Sequence, residues 1–141
     1  MPILFDSSVY ISALRTGSNS ALLLTRWARE SPLWLSSVVL EELYAGVTPV
    51  DRKILEKLER DFDKARRVLV PNLTDWALAG KILAAVAQAH GFEKIGRARL
   101  TNDALIATSA ARTGVQVITG NARDYALLAN YCPLQWQARG V

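Results

Sequence analysis

The sequence predicts an α/β fold: a central, mainly parallel sheet of about four or five strands with helices on both faces. Two observations lead there. The strand candidates are short and mostly apolar rather than alternating, as strands covered on both sides are. Helical segments separate them, which is what a crossover between parallel strands requires.

Each element follows from local signals. "PILF" is a short buried strand that ends at Asp6. "SSVYISALR" and "SNSALLLTRWARE" are helices, the second capped near Ser18–Ser20. "PLWLSS" is a second strand, opened by Pro32, and "VVLEELYAG" is a helix that Gly46 stops. "PVDRKILEKLERDFDKARR" is a long amphipathic helix with Pro49 near its start. "VLV" is a third strand, halted by Pro71. "TDWALAGKILAAVAQAHG" is a helix opened by Thr74 or Asp75 and closed by Gly91. "NDALIATSAARTG" is apolar on most faces and so a buried helix. "VQVIT" is a fourth strand, "ARDYALLAN" a short helix and "LQW" a last strand. No repeat, low-complexity tract or linker interrupts this order, and 141 residues are enough to bury a core, so one domain over 1–141 is expected.

Composition narrows the function classes. Half the residues are hydrophobic and 21% charged, as in an ordinary globular protein. The longest apolar runs fall far short of a bilayer span, so no membrane association is expected. "MPILFDSS" meets an acid at position 6, which argues against a signal peptide. Cys132 is the sole cysteine, which excludes an internal disulfide and points to a reducing, cytoplasmic setting. A net charge of +4 favours an acidic partner. The basic residues of Asp51–Arg67 alternate with acids at helical spacing and form a solvated face. Those of "EKIGRAR", namely Lys94, Arg97 and Arg99, have fewer acidic neighbours; a solvated loop and a phosphate contact are both open for them.

Chemistry concentrates at the strand ends. In open α/β sheets ligands bind beyond the carboxyl ends of the strands. Asp6 follows the first strand and Asp124 the fourth; Asp103 begins the helix that feeds the fourth strand, and Glu41 and Glu42 lie in the helix after the second. All can reach one rim. Each also has a plainer role: Asp6 as a turn or helix initiator, Asp103 and Asp124 as first-turn acids favoured by the helix dipole, the glutamates as solvent-facing. Together they are harder to explain that way, because one carboxylate pair at roughly 5 Å and an effective dielectric near 20 repels by about 3 kcal/mol. A cation or a shared proton offsets such repulsion, and an all-oxygen ligand set suits Mg²⁺ or Mn²⁺.

These segments resemble the four motifs of the PIN-domain ribonucleases, most closely the VapC-type toxins of toxin–antitoxin pairs, over nearly the whole chain. "ILFDSSVYISAL" is similar to the family's opening strand, acid and helix; "VVLEELYAG" to its second motif, whose acid is the Glu directly before Leu, hence Glu42; "TNDALIATSA" to its third, with Asp103; and "VITGNARDY" to its fourth, with Asp124 and Thr119 as a polar neighbour. Asn121 stands where some members have another acid, and Ser8 where the family often has Asn. The resemblance implies a single PIN domain and a metal-dependent endoribonuclease, with Mg²⁺ or Mn²⁺ held by Asp6, Glu42, Asp103 and Asp124 and with Ser8, Thr119 and Asn121 in support. It also implies an RNA substrate and a cognate antitoxin; the apolar stretches "ALLLTRW" and "VVLEELYAG" beside the rim suit core, homodimer contact or a groove for an antitoxin helix, and a homodimer is expected. A PIN nuclease of RNA processing without an antitoxin, and a non-catalytic PIN-like binding module, are the alternatives.

Other chemistries fit the residues less well. An aspartyl-phosphate phosphatase needs a second Asp where Ser8 stands. "AGK" at 79–81 lacks the leading Gly and the following hydroxyl of a P-loop, and no G-x-S-x-G elbow is present. His90 is the only histidine and sits at a helix end, where a cation favours the dipole. Trp27, Trp34, Trp76 and Trp136 are expected in the core or at a subunit interface.

Overall fold

A computed structural model describes residues 1–16, 31–91 and 100–139. The helix expected over 18–30, with Trp27, and the "EKIGRAR" loop lie outside the described residues. Elsewhere the elements run β1 (Ile3–Phe5), α1 (Ser7–Thr16), β2 (Leu33–Ser36), α2 (Ser37–Gly46), α3 (Pro49–Lys64), β3 (Val68–Leu69), α4 (Leu73–His90), α5 (Leu100–Thr113), β4 (Gln116–Thr119), α6 (Ala122–Leu128) and β5 (Trp136–Ala138). The strands form one sheet in the order β3-β2-β1-β4-β5, with every neighbouring pair parallel. The expected α/β architecture is therefore present, with five strands.

Strand order decides where a site can form. The chain lays β2 and β3 on one side of β1, then returns to place β4 on the other. The order reverses at β1, so the crevice beyond the carboxyl ends of β1 and β4 is the switch point of the sheet. The register pairs Phe5 with Ile118, and the Asp6 N–H donates to the Ile118 carbonyl at 3.1 Å. Residues just past Phe5 thereby face residues just past Ile118.

Burial follows the apolar pattern. Ile3, Leu4 and Phe5 of β1, Val117 and Ile118 of β4 and Leu35 of β2 are buried, as central strands covered on both sides must be. Helix α5 is buried along most of its length, from Leu100 to Ala110. Helix α3 instead exposes its charged face, buries Leu55, and carries a Lys57–Asp61 ion pair at 2.9 Å one turn apart.

Helix α4 corrects one expectation. Its N-cap is Asn72, not Thr74 or Asp75; Asp75 is the reciprocal partner in a capping box. Asp75 also reaches across to α5, where Arg112 Nη2 lies 2.9 Å from one carboxylate oxygen and Nε donates to both at 3.0 Å. The Thr108 hydroxyl donates to the Asp75 carbonyl at 3.2 Å. One acid thus caps α4 and clamps α5. Trp76 is not a core residue: one position beyond Asp75 it faces outward, 56% exposed. The last strand lies two residues later than "LQW", because Pro133 has no N–H for a ladder and Leu134 and Gln135 lead into the pairing of Trp136 with Val117.

Candidate active site

Asp6 leaves β1 at the switch point and is 3% exposed. The hydroxyls of Ser8 and Thr119 donate to its two carboxylate oxygens, one to each. Burial raises the Asp6 pKa above the usual carboxylate value, and the two hydroxyl donors oppose that rise.

Asp103 lies in the first turn of α5 and is 5% exposed. Its carboxyl is pushed up to about 7, first by burial and then by the negative charges of Asp6, Glu42 and Asp124. The fields of all three other predicted acids therefore act on Asp103. As a cap alone, Asp103 would have been drawn to its own helix terminus. It instead accepts from the Tyr125 hydroxyl at 3.4 Å and the Asn121 amide at 3.5 Å, both from the β4–α6 segment.

Asp124, in the first turn of α6, accepts from the same Asn121 amide at 2.9 Å. Asn121 thus spans two carboxylates from the N-cap position of α6 without capping that helix. The two glutamates separate by helix phase. Glu41 faces out and accepts from Asn102 at 3.3 Å, whereas Glu42 is partly buried with one oxygen shut off from solvent.

The rim therefore collects Asp6, Glu42, Asp103 and Asp124, with Ser8, Thr119 and Asn121 bonded among them. Sequence reasoning missed two participants. Tyr125 is fully buried beneath Asp103, and its apolar neighbours in α6 gave no sign that its hydroxyl turns toward the acids. Gly120 donates its N–H to Ser8 Oγ at 2.9 Å, a backbone contact that no side-chain pattern records. Lys94, Arg97 and Arg99 belong to the segment outside the described residues.

A family model, the PIN domain, matches residues 3–129. The chain belongs to the PIN domain family. PIN domains are nucleases, and PIN nucleases generally use divalent metals. The chain is also similar in structure to VapBC2 from Rickettsia felis bound to a DNA fragment from its promoter, with TM-score 0.69 and 19% identity over 99% of this chain and 100% of that one. It is similar to DNA-bound VapBC from Salmonella typhimurium, with TM-score 0.69 and 19% identity over 98% of each chain. VapBC-1 from nontypeable Haemophilus influenzae gives TM-score 0.65 and 23% identity, again over 98% of each. At these identities the likeness is one of fold. A comparison with curated protein sequences gives no match.

The PIN site can be tested for a metal on its own donors. The four acids offer only hard oxygens, and burial together with the charge of the other three raises Asp103, a condition that a divalent cation relieves. Among the described residues no three His, Cys, Asp or Glu side chains already stand as a metal-holding group. The donor set fits Mg²⁺ or Mn²⁺ by chemistry and charge, and gathering it around an ion requires side-chain movement from this arrangement.

Proposed function

We propose that the 141 residues form one PIN domain that acts as a Mg²⁺- or Mn²⁺-dependent endoribonuclease, the toxin of a cytoplasmic toxin–antitoxin pair. The observation that carries the nuclease reading is the charge coupling of Asp6, Glu42 and Asp124 to a buried Asp103 at the switch point of the sheet. Asp6 and Asp103 would bind the ion, Glu42 would complete the acidic set, and Asp124 would bind directly or through water. When bound, a divalent ion supplies positive charge for in-line attack of water on an RNA phosphodiester. Ser8 and Thr119 hold the Asp6 carboxylate, and Asn121 holds Asp124 beside Asp103. Lys94, Arg97 and Arg99 are proposed to contact RNA phosphates.

The antitoxin reading draws support from the fold neighbours, which are VapBC complexes. It also draws on a groove of about 480 Å³ lined by Ile11, Leu14, Leu43 and Val47 together with Arg15 and Glu42. Apolar walls beside an acid of the rim suit an amphipathic helix that ends in Arg, whose fork matches a carboxylate. Leu73 and Trp76, exposed apolar residues in the first turn of α4, are available for homodimer contact.

Cleavage of RNA by the purified protein tests the enzyme. Activity should require Mg²⁺ or Mn²⁺, leave 5′-phosphate and 3′-hydroxyl ends, and disappear in excess chelator and in Asp103→Asn. Full activity in chelator or in that variant refutes the mechanism. Co-purification from the native operon tests the partner: a protein harmless when expressed alone and recovered without a small companion is not the toxin of such a pair.

A further inference from the structure

We propose that Gly120 is a positioning residue for Asp6: its missing side chain lets the turn after β4 seat the Ser8 hydroxyl against the Asp6 carboxylate. The inference rests on the metal-site reading above and extends it to a backbone position.

Proton direction is what the turn controls. A hydroxyl carries one proton and two lone pairs. The Gly120 N–H donates to Ser8 Oγ at 2.9 Å, and the next amide, Asn121 N–H, donates to Thr119 Oγ1 at 2.8 Å. With an amide proton facing one lone pair, each hydroxyl turns its own proton the other way. Ser8 delivers it to Asp6 Oδ1 and Thr119 to Asp6 Oδ2. Two successive amides of one turn thereby aim two hydroxyls at the two oxygens of one carboxylate. That holds the carboxylate plane in place and leaves lone pairs on both oxygens for a cation.

Gly120 is required by space. A Cβ at this position would stand 3.1 Å from Ser8 Oγ and 3.6 Å from Ser8 Cβ. The first distance is tighter than ordinary contact and the second is not, so the hydroxyl must yield while the backbone of α1 need not. Gly120 is not among the residues at positive φ, so alanine fits its backbone without strain. The substitution thus acts on one hydroxyl, which must give way by a few tenths of an ångström and so loosens its bond to Asp6.

The test is calorimetric titration of Mn²⁺ into the full-length wild type, Gly120→Ala, Ser8→Ala and the double variant. Gly120→Ala and Ser8→Ala should each weaken Mn²⁺ binding by about 10-fold. The double variant should bind like Ser8→Ala, because the methyl group added at position 120 has nothing to displace once the hydroxyl is gone. Wild-type affinity in Gly120→Ala, or losses that add in the double variant, overturns the inference and leaves the metal site standing. A wild type that takes up no Mn²⁺ overturns both. Hydrogen exchange at the Gly120 amide gives a readout that does not depend on Gly120→Ala folding: it should be several-fold faster in Ser8→Ala than in wild type, and equal rates refute the contact.

Discussion

Replacing Asp103 by Asn should stabilise the metal-free protein at pH 8 and do almost nothing at pH 4. The Asp103 carboxyl titrates near 7 in the fold, against an ordinary aspartate value of 3.8. Between these values the native state holds a proton that the unfolded chain has released, so stability falls as pH rises through the window. The contribution is fully present below about pH 4 and lost above about pH 7. At roughly 1.4 kcal/mol per pKa unit, the ceiling on that loss is about 4 kcal/mol. Ions at the rim screen the neighbouring carboxylates, and Asn gives up a favourable first-turn charge on α5 of about 0.5 kcal/mol. A net gain of about 1 to 2 kcal/mol at pH 8 is therefore expected, which for this chain length is roughly 3 to 7 °C in Tm. Thermal melts of both proteins in chelator, from pH 4 to 8, read it directly. Saturating Mg²⁺ should reverse the ranking, since an ion present at about 100 times its Kd adds about 2.7 kcal/mol to the protein that binds it. An Asn variant less stable than wild type at pH 8 without metal, or a difference independent of pH, would falsify the charge-cluster account and return Asp103 to a helix-terminal role.

Three further outcomes follow from other parts of the structure. Tyr125→Phe keeps the buried ring but removes the donor that lowers the Asp103 pKa, so the pH at which metal-free stability falls should move upward; an unmoved midpoint rejects that contact. Arg112→Ala strips the α5 partner from buried Asp75 and should cost about 1 to 3 kcal/mol in urea denaturation, while Mn²⁺ affinity stays at the wild-type level; a large loss of Mn²⁺ binding would show that the clamp also sets the site. Removing Arg97 and Arg99 should weaken RNA binding and lower the slope of log K against log salt by about 2, read by fluorescence anisotropy at several salt concentrations; an unchanged slope removes that loop from the interface.

The sequence by itself determined the elements and the end of the sheet where the acids lie. Mostly apolar strands such as "PILF" and "VQVIT" mark burial on both faces, and Gly46, Pro49 and Pro71 mark the joins, because backbone preference acts over a few residues. Asp6 and Asp124 were legible as acids just past strands, and Asp103 as an acid opening a helix. Glu41 and Glu42 could not be separated by position alone; the motif resemblance chose Glu42, and the phase of α2 turns Glu41 outward to Asn102. The α4 cap was misplaced because Asn72, Thr74 and Asp75 all suit helix starts, and only the hydrogen bonds show which one caps. The remaining features join residues far apart in the chain. Arg112 meets Asp75 across 37 residues, and Thr119 meets Asp6 across 113. These meetings depend on β4 returning to lie beside β1, and strand order is a property of the assembled sheet rather than of any segment within it. The hydrogen bonds of the Tyr125 hydroxyl, the Gly120 N–H and the Asn121 amide were decided there too, since a donor acquires a direction only once its partner has been brought within about 3 Å.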